Sequence, residues 1–91
     1  MKIVLDGKQM TSRWKAQRYL AEMLALPDYY GKNLDALYDC LTEGGEMEVE
    51  FIHLEDMQNA LGSYGEKLLR VFCDTENVHV TVKQEKGETA L

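Results

Sequence analysis

Three short strand-like segments in this chain are never neighbours in sequence, and that spacing constrains the fold more than any other feature. Residues 2–5, Lys2-Ile3-Val4-Leu5, form an apolar run closed by the turn signal Asp6-Gly7. Residues 47–54 set Val49, Phe51 and Ile52 among acidic residues, which suits an exposed or edge-like strand with Glu48 and Glu50 facing water. Val78, Val80 and Val82 alternate with His79, Thr81 and Lys83, the pattern of a strand with one buried face. Helical patterns fill both gaps. A hairpin needs only a tight turn, whereas strands joined through helices are crossover-connected and run parallel. The expectation is an α/β fold, a three-stranded parallel sheet packed with four helices.

The helices announce themselves by spacing and punctuation. Thr11 or Ser12 can cap a pattern running to about residue 24, with Trp14, Tyr19, Leu20, Met23 and Leu24 recurring at three and four. Pro27 disfavours helical geometry at Leu26, so residues 25–32 read as a loop. Asn33 can cap a second helix over 34–42, stopped by Gly44-Gly45. A short helix over 55–61 ends at Gly62. Ser63 and Glu66 then have capping-box spacing for a longer helix, carrying Leu68, Leu69, Val71 and Phe72 to about residue 77. Residues 1–83 make one domain, and the polar tail 84–91 is expected to fray.

Ninety-one residues allow one modest core. No apolar run approaches the roughly 20 residues needed to span a bilayer, and the first residues lack the apolar stretch of a secretory signal, so a cytoplasmic location is expected. Cys40 and Cys73 have neither CxxC spacing nor partner histidines, and read as buried free thiols. The formal net charge is -6. That disfavours nucleic acid or anionic membrane as a direct partner and favours a basic one. Residues 28–50 concentrate the charge, with seven acids (Asp28, Asp35, Asp39, Glu43, Glu46, Glu48, Glu50) and one base, Lys32. A solvated acidic face is the plain account of such a cluster.

The second helix offers more. At 100° per residue, Leu34, Leu37, Cys40 and Leu41 share one side, Asp35, Asp39 and Thr42 the other, and Tyr38 the boundary. Carboxylates at i and i+4 repel, so the pair gives the fold nothing and invites a functional explanation. Tyr29, Tyr30, Gly31 and Asn33 precede it, and tyrosine suits interfaces because a rigid ring carries a polar tip. Tyr29 and Tyr38 fit that role; Tyr30 fits the core equally well.

The stretch LALPDYYGKNLDALYDCLTEGG, residues 24–45, resembles the central segment of the barstar family, intracellular inhibitors of barnase-type ribonucleases. MKIVLDGKQM at the start and GEKLLRVF at 65–72 are similar in the same order. The resemblance implies a three-stranded parallel sheet with four helices, and a loop and second helix that plug the ribonuclease active site. Carried over by position, it implies an inhibitory surface of Tyr29, Gly31, Asn33, Leu34, Asp35, Tyr38, Asp39, Thr42 and Asp74. Asp39 would be the chief anchor, in place of the RNA phosphate. The family pattern has tryptophan where this chain has Tyr38 and Gly44, and glutamate where it has Asp74. The implied partner is a basic, barnase-like ribonuclease bound one to one, with the free chain a monomer.

Competing functions are weaker. Glycosidases also pair carboxylates, but around a water-excluding cleft rather than on a convex helix. His53 and His79 lie in strand-like segments without ligand spacing, so no metal or cofactor is expected. No nucleophile triad, phosphate loop or dinucleotide fingerprint is present, and the chain reads as no enzyme. The runner-up is an immunity-type or regulatory module of the same fold whose basic target is not a ribonuclease. A structural interaction domain is a third reading, with no feature of its own.

Overall fold

The computed structural model describes residues 2–83, so the tail at 84–91 lies outside the described residues. The strands are β1 (Lys2–Asp6), β2 (Met47–Ile52) and β3 (Val78–Val82). The helices are α1 (Arg13–Met23), α2 (Leu34–Glu43), α3 (Leu54–Leu61) and α4 (Ser63–Asp74), with a single 3-10 turn at Gly7–Gln9. Both strand pairings are parallel, in the order β1, β2, β3, with Leu5 beside Phe51 and Phe51 beside Val82. The three-stranded parallel sheet with four helices is as the spacing implied.

The sheet is one-sided. Ile3, Leu5, Val49, Phe51 and Val78 turn into the core, while Lys2, Val4, Glu48, His79 and Thr81 face water. This corrects the edge-like reading of residues 47–54: β2 is the central strand. Its acids are tolerated because Glu48 is exposed and the half-buried Glu50 forms an ion pair with Lys2 of β1 at 3.1 Å. The core closes with Leu20 of α1, Leu37 and Leu41 of α2, Met57 of α3, and Leu68 and Phe72 of α4. Phe72 meets Phe51 edge to face, centroids 5.4 Å apart. On β3 the buried face fades along the strand. Val78 is buried, Val80 half-buried and Val82 exposed.

Local chemistry decides the remaining differences. Ser12, not Thr11, caps α1, its hydroxyl accepting from the Lys15 amide at 3.2 Å. Trp14, expected on the apolar stripe, is 60% exposed, and Gln17 occupies the interior instead. Both polar atoms of its amide are partnered, the oxygen accepting from the Tyr30 hydroxyl and the nitrogen donating to Tyr64 Oη at 2.7 Å, which offsets the cost of burying it. The Ser63–Glu66 capping box does not form. Gly62, in a conformation open to glycine (φ 59°, ψ -133°), is the cap, and Ser63 is already helical. The same helix ends at Asp74, three residues short of Asn77, where the Thr75 hydroxyl donates to the Val71 carbonyl at 2.8 Å. His53 is no strand residue but a left-handed one (φ 51°) that turns the chain from β2 into α3, which begins one residue early at Leu54.

Candidate functional site

The site starts with how α2 is held. Asn33 caps it, Oδ1 accepting from the Ala36 amide at 2.8 Å, as its position before the leucine pattern implied. Leu37 and Leu41 are fully buried and Leu34 half-buried, which fixes the helix's rotation. Asp35, Asp39 and Thr42 consequently all face solvent, and Tyr38 stays 43% exposed. The Thr42 hydroxyl donates to the Tyr38 carbonyl at 2.8 Å, so its methyl and hydroxyl hold a set orientation on that face.

The preceding loop is pinned from beneath. Tyr30, only 5% exposed, takes the core alternative; its hydroxyl donates to Gln17 and sits 3.4 Å from the Asn33 carbonyl. Burial first, then Tyr64 and Cys40, push the Tyr30 hydroxyl well above the ordinary tyrosine range, so it remains a donor. Tyr29 beside it is 83% exposed. One tyrosine anchors the loop and the other is offered to solvent. Lys32 adopts a left-handed conformation (φ 56°), and Gly31 approaches Asn33 Nδ2 closely, since a Cβ there would lie 3.3 Å from it.

At its other end α2 is tied down by a residue that sequence reasoning missed. Asn77 Nδ2 donates to the carbonyls of Leu41, Gly44 and Gly45 at 2.9, 3.1 and 3.0 Å. These carbonyls lie at and just past the end of α2, and the two N–H groups of the Asn77 amide, shared among the three, hold them from the turn between α4 and β3; the Leu41 carbonyl also accepts the Gly44 amide at 3.2 Å. The signal was only an asparagine before a strand. α2 also packs on α4, at whose end Asp74 is exposed. Asn77→Ala should lower stability by about 0.5–1.5 kcal/mol, the net scale for hydrogen bonds lost where water can replace part of them. Urea unfolding measures it, and an unchanged midpoint would mean water replaces the amide without loss.

Tyr29, Gly31, Asn33, Asp35, Tyr38, Asp39 and Thr42 are thus exposed along the loop and α2, with Leu34 half-buried among them, and Asp74 is exposed at the end of α4. Glu43 and Glu46 are exposed too, and His79 Nε2 meets Glu46 Oε1 at 2.7 Å. The cysteines are free, but the buried-thiol reading needs correction. Cys40 is half-buried, its thiol pushed up by burial and then by Glu43 and Asp39, whereas Cys73 is exposed because α4 turns that position outward. Among the described residues no group of His, Cys, Asp or Glu could hold a metal ion, and no helix is long and apolar enough to cross a membrane.

This loop-helix segment is acidic and aromatic, with the Asp35 and Asp39 carboxylates exposed beside Tyr29 and Tyr38. Residues 1–89 match the family model described as Barstar (barnase inhibitor). The chain belongs to the barstar family. A Bacillus subtilis (strain 168) protein, YrdF, whose name proposes it as a ribonuclease inhibitor, is 35% identical over 77 residues, covering 82% of this chain and 85% of the relative. Barstar-family proteins are inhibitors and not enzymes.

Proposed function

We propose that this chain inhibits a basic, barnase-like ribonuclease in the cytoplasm, one to one, by seating the loop before α2 and the exposed face of α2 in the enzyme's active site. The observation that carries the reading is the fixed outward presentation of Asp35 and Asp39 on a helix whose opposite side is locked into the core. An enzyme that cleaves a polyanion lines its cleft with cations, so a carboxylate helix complements it as substrate does, with Asp39 standing where a phosphate would. Tyr29 and Tyr38 supply rigid contact area beside the charges. Asp74 contributes from the end of α4.

The test is titration of a barnase-type ribonuclease with the purified chain, following RNA cleavage at low and at high ionic strength. Activity should fall to zero at one equivalent, with association slowing as salt rises. Full activity in the presence of excess chain would overturn the reading. Capture from lysate or culture supernatant of a single basic protein without nuclease activity would favour the immunity-type alternative instead.

A further inference from the structure

Beside the acidic face lies a surface of the opposite character. A groove of about 290 Å³ runs between α1, the loop before α2 and α4, lined by Arg13, Trp14, Gln17, Lys32, Leu34 and Tyr64 among others, none of them acidic. The Arg13 guanidinium lies over the Tyr64 ring at 4.6 Å, and that of Arg18 stands 5.9 Å from the Trp14 ring. Among the described residues neither Arg13 nor Lys32 joins an ion pair. The 60% exposure of Trp14 is unusual for the largest apolar side chain, and Trp, Tyr and Arg together are the residues that dominate binding at protein interfaces.

Lys32 and Leu34 pass directly into Asp35, and Asp39 and Glu43 follow on the next turns, all three acids exposed. The cationic aromatic groove therefore adjoins the start of the acidic helix through Lys32, Asn33 and Leu34. Under a two-fold axis each patch of one copy falls on the opposite patch of the other, so the surface is complementary to itself. We propose that a second copy of this chain docks here, forming a dimer in which the acidic face of α2 in each protomer lies against the Arg13, Trp14 and Lys32 groove of its partner. Such pairing covers Trp14 and conceals Asp35 and Asp39; on the inhibitory reading above, it competes with the ribonuclease. The free monomer expected from the sequence is then the state at high dilution or high salt.

Sedimentation equilibrium tests this on the protein alone. At about 0.15 M ionic strength the Debye length of about 8 Å mutes the repulsion between two net charges of -6 but leaves contact pairs; at 1 M, screening within about 3 Å weakens those too. The mass should rise with concentration toward twice that of one chain in the first condition and stay monomeric in the second. The pair Arg13→Glu and Lys32→Glu makes both patches acidic; the pair Asp35→Lys and Asp39→Lys makes both basic. Each double variant alone should be monomeric, and their equimolar mixture should associate. Circular dichroism establishes that both are folded. A parent that is monomeric at every concentration, or one that binds inorganic phosphate in the groove while remaining monomeric, would overturn the proposal. So would a parent that associates but whose reversed-charge variants do so equally well alone. None of these outcomes depends on ribonuclease inhibition, which is titrated separately.

Discussion

Asp39→Ala is expected to cost the complex with a barnase-type ribonuclease about 2–5 kcal/mol, roughly 30-fold to several thousand-fold in affinity, chiefly through faster dissociation. That range draws in part on the barnase and barstar pair itself, so its scale is borrowed from the family and is not a value found for this chain. The cost arises on the partner's side. Cations around a phosphate-sized space stay desolvated when the carboxylate that neutralised them is gone. The free chain should fold as before, because Asp39 is exposed and its removal relieves an i,i+4 repulsion with Asp35 worth a few tenths of a kcal/mol. Asp35→Ala should rank second. Glu46→Ala should act mainly on association and fade as salt rises, since Glu46 lies past the end of α2 and already faces His79. Rates of association and dissociation for each variant, beside urea unfolding of the free chains, decide the matter. Parent-like dissociation of Asp39→Ala with a large loss in Glu46→Ala would move the contact surface off α2.

How much of this was legible in the sequence depends on how local the determining physics is. Alternating valines, the asparagine before a leucine pattern and the Gly44-Gly45 stop each act within one turn or strand, and each element appears where they placed it. Strand rank was not local. Glu48 and Glu50 suggested an edge, and only the pairing on both sides of β2 shows a central strand with one wet face. Trp14 left its expected place on the apolar stripe for a similar reason: Gln17 is buried instead, gaining partners from Tyr30 and Tyr64, the latter 47 positions away. The acidic face of α2 could be drawn from the helical period alone, because Leu37 and Leu41 fix the rotation. What ties the helix end down, Asn77, is a long-range choice that no pattern near residue 44 contains.

Gly7→Ala is expected to be the most damaging single substitution outside the site, and it concerns the joint that sets β1, the 3-10 turn and α3 against one another. Gly7 is buried, and a Cβ there would stand 2.0 Å from the His53 carbonyl oxygen, 2.9 Å from its carbon and 3.2 Å from Met57 Cβ. The first two are backbone atoms, so no rotamer change clears them. The carbonyl cannot swing away freely, because it accepts the Asp56 amide at 3.1 Å in the first turn of α3, and His53 already holds a left-handed conformation. The turn cannot retreat freely either, since the Gly7 carbonyl accepts from Met10, whose side chain is fully buried. Overpacking against side chains costs about 1–3 kcal/mol, and against fixed backbone the cost should reach the top of that range or exceed it. A loss of about 3 kcal/mol from a domain worth about 5–15 kcal/mol would lower the melting temperature by about 12–24 °C. Gly31→Ala provides the contrast. Its Cβ would meet only the side chains of Asn33 and Ala36, at 3.3 and 3.5 Å, so its unfolding midpoint should move little. Thermal and urea unfolding of the two variants read out both claims. Equal midpoints for Gly7→Ala and the parent would mean that the turn and α3 can separate without loss, and that this joint does not hold the sheet to its helices.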